Sequence, residues 1–515
     1  MFGKILSACV VGVDGRIVET EVDISRGLPA FHIVGLPDSS IRESMERVRA
    51  AIRHCGYEFP LQRITVNLAP ADLKKEGSAF DLAIAAGILT ASGQLPAVDV
   101  AETLVIGELS LDGRLRPVPG VLAMVIHAVQ QGIRTVILPA ANAAEASLAG
   151  ELRIVPIEHL SQLKEAMTGK TQWRHVVHRE SQNPTSPANT EDYADVRGQE
   201  QAKRALTIAA AGMHNIVLIG PPGTGKTMLM RRLPTILSDL DDDEALEVTK
   251  IYSIASLLPD RSGLIRKRPF RSPHHSISLN GLIGGGPIPR PGEISLSHRG
   301  VLYLDELPEF PRHVLESLRQ PLEDRRVTIS RAKASYTFPC DFLLAASMNP
   351  CPCGLGYGGA DPQRRACTCS PAQIQKYRAK ISGPLLDRID MQVEVPPPGF
   401  QAMSSDAPAW SSERMKRQVE IALRVQAERY RHNPGIRFNS ELTGSRLHEV
   451  CRLTDAAQKL LQESFEALGL SARAYGRILR LARTIADLEG GGPIDAAHVA
   501  EAVQYRCLDR AALPA

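Results

Sequence analysis

Apolar and polar positions along the chain switch between two periods. Leu6–Val13, Ile17–Ile24, Ile64–Leu68, Leu104–Ile106 and Thr135–Leu138 have the short apolar or alternating runs of strands. Ser39–His54, Ala79–Leu89 and Val121–Gln130 have the spacing of amphipathic helices. Residues 1–168 therefore predict an α/β domain with its own core. A stretch rich in Gln, Asn, Ser, Thr and Pro follows at 169–192 and reads as a linker. Over 193–398 apolar strand-like runs return at Ile216–Ile219, Val301–Leu304 and Phe342–Ser347. Over 399–515 the pattern turns helical: Glu413–Arg429, Ser445–Val450, Ala456–Leu468, Ala472–Leu488 and Asp495–Gln504.

The length of 515 residues fits about three domains. Charged residues at 23% and hydrophobic residues at 43% describe a globular chain rather than a disordered one. A net charge of +3 gives no general affinity for polyanions, so such a partner would need local basic patches. No apolar run reaches the length of a membrane span. Met1–Val13 is followed at once by Asp14 and Arg16, with no small-residue cleavage site, and reads as a first strand rather than a leader. Nine cysteines, an odd number without a secreted-domain framework, point to a reducing cytoplasm.

The chemistry centres on Gly220-Pro221-Pro222-Gly223-Thr224-Gly225-Lys226-Thr227, directly after the strand Ile216–Ile219. Glycines there let backbone N–H groups surround phosphate oxygens, with the positive end of the next helix behind them. Lys226 can reach the β- and γ-phosphates of ATP, and Thr227 can offer its hydroxyl to Mg²⁺. A second element, Gly300–Glu306, takes two carboxylates to the end of an apolar strand, where ligands sit in open α/β sheets. Asp305 suits Mg²⁺ coordination and Glu306 suits polarising the attacking water. The plain alternative is a helix start, which favours acids for its own reasons.

Two basic stretches are candidates for gripping a phosphate backbone. One holds Arg266, Lys267, Arg268 and Arg271 beside the glycine-rich Ser278–Gly286. The other, Arg325–Lys333, alternates like a hairpin and holds Arg331 and Lys333. Both could also be ordinary solvated surfaces. Cys351, Cys353, Cys367 and Cys369 form two C-x-C pairs that could wrap one tetrahedral Zn²⁺; free thiols or a redox pair are the rivals.

Several motifs resemble known families. Lys75–Ala79, Gly107–Arg114 and Pro117–Gly120 look like the proteolytic domain of Lon, whose catalytic pair is a serine and a lysine. Ser78 lies near the serine's place, but no lysine occurs between Lys75 and Lys164. A serine without a base is a weak nucleophile, so the fold is expected without protease chemistry, and Ser78 is expected to cap or pack against a helix. Asp195–Gln199 resembles the segment that borders adenine in AAA+ ATPases. Asn349, in Met348-Asn349-Pro350, matches the first sensor of that class, although Asn-Pro is also a plain turn starter. Gly383–Asp390 resembles the arginine-finger segment of the Mg-chelatase and minichromosome-maintenance branch. That resemblance implies that Arg388 reaches the γ-phosphate of a neighbouring subunit. Its rival reading is a structural pair with Asp387 or Asp390. Arg473 sits at the second-sensor position, with Arg477 as its rival one turn later.

Across its length the chain resembles ComM-type Mg-chelatase-like AAA+ ATPases. The resemblance implies a Lon-protease-like α/β domain, an AAA+ core and a helical lid. It further implies a homo-hexameric, ATP-driven DNA helicase that promotes branch migration as single-stranded DNA is integrated in natural transformation. Its partners would be single-stranded and branched DNA. A chelatase-type motor that remodels a protein partner and a Lon-like protease are the alternative readings.

Overall fold

The computed structural model describes residues 1–96, 102–168, 191–259, 263–286, 289–331, 334–356, 367–399, 410–433 and 435–506. The N-terminal part forms a seven-stranded mixed sheet. Its order is Ala30–Val34, Arg63–Ala69, Asp14–Ser25, Phe2–Val11, Thr103–Val105, Thr135–Pro139 and Arg153–Ile157. Helices Ser39–His54, Asp81–Ala91 and Val121–Gln130 pack on it. The five expected strands are all present, and two further ones lie at the sheet edges. Arg153–Ile157 contains Pro156, which cannot donate to a ladder and hides a strand from pattern reading; edge positions tolerate it.

A second sheet is all parallel. Its order is Phe270–Arg271, Val301–Leu304, Leu343–Met348, Ile216–Ile219 and Met391–Glu394. The three central strands are buried along their whole length, as expected for strands covered on both faces. Leu343–Met348 lies between Val301–Leu304 and Ile216–Ile219. The loop after Ile216–Ile219 therefore opens at the carboxyl edge, close to the ends of the other two. The second basic stretch is indeed a hairpin, Arg326–Arg331 paired with Ala334–Pro339. Lys333 and most of the expected 169–192 linker lie outside the described residues.

The C-terminal part is helical. Ser412–Tyr430 and Ala472–Leu488 pack on Glu200–Gly212 of the parallel-sheet module, and the apolar core runs continuously through both. Among the described residues the N-terminal part meets that module in two regions. Helix Asp242–Ile254 meets Val121–Gln130: the Gly120 N–H donates to Ser253 O at 3.2 Å, the Ser253 hydroxyl bonds Glu145, and Lys250 pairs with Asp14 at 3.4 Å. Elsewhere Tyr336 of the hairpin donates to Glu76 at 3.4 Å. Among the described residues no helix is long and apolar enough to cross a membrane.

Candidate active site

The turn after Ile216–Ile219 needs left-handed backbone at two points, and glycine fills both: Gly223 at φ 78° and Gly225 at φ 88°. Helix Lys226–Arg231 starts at once. Lys226 is folded back over the turn. Its ammonium donates to Gly220 O at 2.6 Å, Pro221 O at 2.8 Å and Asn349 Oδ1 at 3.3 Å. Burial pushes this ammonium below its ordinary range, against the pull of Asp305 and Glu306. A buried cation held only by neutral oxygens is poised for an anion. Gln199 steadies the loop from outside, donating to Thr224 O at 3.3 Å and Pro396 O at 2.7 Å.

Thr227 Oγ1 donates to Asp305 Oδ2 at 3.0 Å, which joins the phosphate turn to the carboxylate strand. Ser347, from the neighbouring strand, donates to the other Asp305 oxygen. Burial alone would raise the Asp305 carboxyl. Hydrogen bonds from Ser347, Tyr303 and Thr227 and the Glu306 N–H overcome that and keep it below its ordinary value. Asp305 is therefore ionised beside a hydroxyl, an oxygen pair that suits Mg²⁺. Glu306 is exposed and left-handed at φ 53°, a costly conformation for a non-glycine residue that turns its carboxylate away from the strand. His275 Nδ1 lies 3.7 Å from Glu306 Oε2, and the His274 ring lies tilted against His275 with ring centroids 4.0 Å apart. Lys226, Thr227, Asp305 and Asn349 are thus linked, with Glu306 alongside. Ser347, Tyr303 and His275 join them although sequence reasoning gives them no role, and Gln199 comes from the segment expected to border adenine.

Arg388 and Arg473 belong to a second cluster. Arg388 pairs with Glu323, and its Nη1 donates to Pro384 O at 2.6 Å. Arg473 is exposed and meets Asp387 at 3.2 Å. Among the described residues no hydrogen bond or ion pair joins this cluster to the phosphate turn. Arg477, its rival, is buried and pairs with Asp390 at 3.3 Å, holding the lid helix to the core. Burial alone would raise the Asp390 carboxyl. The polar approach of His214, whose Nδ1 lies 3.8 Å from the carboxylate, and the charges of Arg480 and Arg477 overcome it and hold Asp390 far below the ordinary carboxylate range. A depressed carboxylate stabilises the fold at any pH above the unfolded value of about 3.9 and loses that contribution as pH falls through the folded value. Asp390→Asn is therefore expected to unfold more easily at pH 7, by about 3 kcal/mol, and to lose that deficit in strong acid; urea titrations at several pH values measure it.

The first basic stretch is not the open patch that the sequence suggests. Arg268 is buried and bonds Ser238 O, Arg299 O and Glu244, so it serves the interior and is unavailable to a polyanion. Arg271 is half-buried and held by both oxygens of Glu293 at 2.6 and 2.7 Å. Arg266 and Lys267 are exposed but face Asp242 at 2.7 Å and Asp239 at 2.8 Å. Arg331 ends a hairpin strand. Ser78 is not a helix cap either. The helix after it starts from Phe80 with no side-chain cap, and the Ser78 hydroxyl donates to Glu108. Lys75 is buried with its ammonium on Pro70 O, so among the described residues no lysine pairs with Ser78.

Cys351, Cys353, Cys367 and Cys369 converge, with all four sulfurs within 4.8 Å of one another, a set that can hold a metal ion. The distances Cys351–Cys353, Cys351–Cys367 and Cys353–Cys367 are 3.3, 3.7 and 3.6 Å. Sulfurs about 2.3 Å from a tetrahedral Zn²⁺ would be about 3.8 Å apart, whereas a disulfide needs about 2.05 Å.

Comparison with known proteins agrees with this geometry. The family model "Magnesium chelatase, subunit ChlI" matches residues 192–403. Models for subunit ChlI of Mg-chelatase and for its C-terminal part match 20–142 and 409–506. The chain is 44% identical to the uncharacterized protein YifB of Salmonella typhimurium over 97% of its own length and 96% of the relative's. It is 43% identical to the competence protein ComM of Haemophilus influenzae, over 98% and 97% respectively. A Lon protease of Chloroflexus aurantiacus is 29% identical over 29% of this chain. With a parallel sheet that carries a complete phosphate loop, a Lon-like domain before it and full-length relatives on both counts, the chain belongs to the ComM-type, Mg-chelatase-like family of AAA+ proteins, a class whose site takes ATP and Mg²⁺.

Proposed function

We propose that the chain is an ATP-hydrolysing, homo-hexameric DNA helicase that promotes branch migration as single-stranded DNA is integrated during natural transformation and homologous recombination. The observation that carries this reading is the division of the site. Among the described residues no hydrogen bond brings an arginine to the phosphate side around Lys226, while Arg388 and Arg473 stand in a separate cluster. Such halves fit together when a neighbour supplies the arginines, which is the logic of a closed ring. Gly220–Thr227 would hold the nucleotide, Thr227 and Asp305 the Mg²⁺, and Glu306 would orient the attacking water. Bound Mg²⁺ neutralises developing phosphate charge. Asn349, bonded to Lys226, would sense the γ-phosphate. The four cysteines would hold Zn²⁺ as a structural knuckle.

The similarity to a competence protein supports DNA as substrate. The contacts would come from Arg266 and Lys267, whose exposed pairings a phosphate can displace, and from the hairpin with Arg331 and Lys333. Arg268 and Arg271 have no part in it. A branch-migration assay on a three-strand substrate tests the reading. Wild type should move the branch with ATP, Lys226→Ala should not, and casein should stay uncut. Affinity for single-stranded DNA should fall steeply as salt rises, with a shallower dependence in Arg266→Ala/Lys267→Ala. An active ATPase that binds no DNA at low salt would favour a motor that remodels a protein partner.

A further inference from the structure

The four cysteines lie where the parts of the nucleotide site converge. Cys351 follows Asn349 by two positions and is fully buried, whereas Cys353 is exposed. The turn between them and Gly354 is closed by the Gly354 N–H, which donates to Cys351 O at 3.0 Å, with Gly354 at φ 80°. A β-carbon at Gly354 would come 2.7 Å from Cδ and 2.9 Å from Cγ of Pro222. The backbone of the cysteine turn therefore rests against the phosphate loop itself. On the far side, Cys369 is followed at once by Ser370, which caps helix Pro371–Arg378. That helix returns the buried Tyr377 to the apolar cluster that holds Met348, the neighbour of Asn349. Asn349 in turn accepts from Lys226. One cluster of thiols thus anchors both segments that hold the sensor, and backs the loop that receives the phosphates.

We propose that Zn²⁺ bound by Cys351, Cys353, Cys367 and Cys369 braces the nucleotide site, so that ATP affinity and turnover depend on metal occupancy. This rests on the ATPase and zinc-knuckle readings above. The metal touches no nucleotide. It fixes the turn that presses Gly354 on Pro222 and sets the positions of Asn349 and Tyr377. Groups that orient a site from just outside it typically change affinity or activity about 10- to 100-fold when lost.

The test uses the full-length protein. Zinc content and the thiolate-to-metal absorption of a Co²⁺-substituted sample report the metal site. Titration with a fluorescent ATP analogue reports the nucleotide site, in Mg²⁺ buffer after removal of a zinc-selective chelator. Stripping zinc from wild type should weaken analogue binding and turnover about tenfold, with recovery on adding Zn²⁺. Gly354→Ala should keep the Co²⁺ absorption yet show a comparable loss, which separates the brace from general unfolding. Stripped protein that binds and hydrolyses like the loaded form would overturn the brace and leave the zinc site standing. Protein with no zinc and no Co²⁺ absorption would overturn the zinc reading. Zinc-loaded protein that binds no nucleotide would overturn the ATPase reading instead.

Discussion

Lys226→Ala is expected to lower ATP turnover by about 10²–10³-fold and to weaken nucleotide binding, as removal of one charged donor to a reacting group commonly does. The structure makes the direction firm. The Lys226 ammonium is already desolvated, and it bonds only neutral oxygens of Gly220, Pro221 and Asn349. No lysine elsewhere in the turn can replace it. Glu306→Gln should behave differently. It removes the carboxylate proposed to orient water but leaves every link among Lys226, Thr227 and Asp305 intact. ATP should therefore still bind, while turnover falls about 10²–10⁴-fold. Calorimetric binding beside phosphate-release kinetics separates the two variants. Equal loss of binding in both would mean that Glu306 shapes the pocket and has no part in the chemistry.

Arg388→Ala should lower turnover by about 10³–10⁵-fold, with ATP affinity in isolated protomers unchanged. Arg388 is not free to act as it stands: Glu323 and Pro384 O hold it, so in the proposed ring a neighbour's phosphate would have to compete with Glu323. The test of action between subunits is a mixture. Lys226→Ala and Arg388→Ala are each inactive alone, but together they create some interfaces with one intact lysine and one intact arginine. Partial recovery of ATPase on mixing is the expected result. Normal hydrolysis by Arg388→Ala, or mixed assemblies that never recover, would sink the shared-site reading.

The parts of the site that are contiguous along the chain are legible from the order of residues alone. The phosphate turn states its chemistry in eight adjacent residues, and Asp305-Glu306 follows a run that is apolar enough to be a buried strand. The groups that carry no such signal reach the site from different elements. Ser347 approaches Asp305 from the neighbouring strand, Tyr303 reaches it from two positions earlier on its own strand, and His275 comes to Glu306 from a loop outside any periodic segment. The basic stretch misleads for the converse reason. Arg266, Lys267, Arg268 and Arg271 cluster in sequence, but their partners Asp242, Asp239, Glu244 and Glu293 lie 22 to 28 positions away. A charge count over a short window cannot see such pairing. Ser78 is opaque for the same reason, since its partner Glu108 is 30 positions downstream.

Helix Asp242–Ile254 has one face toward each half of the molecule. Its Glu247 meets His298 at 3.2 Å and Arg299 at 3.0 Å, just ahead of the strand Val301–Leu304 that leads into Asp305. Its Ser253 is fastened to Gly120 and Glu145 of the N-terminal domain. A strain that arises at the carboxylate strand thus has a rigid crank to follow, and the Tyr336–Glu76 contact supplies a second point of purchase. A body pinned at two separated points turns with its carrier instead of trailing on a tether. Each stroke at the phosphate would swing the whole N-terminal sheet as a lever.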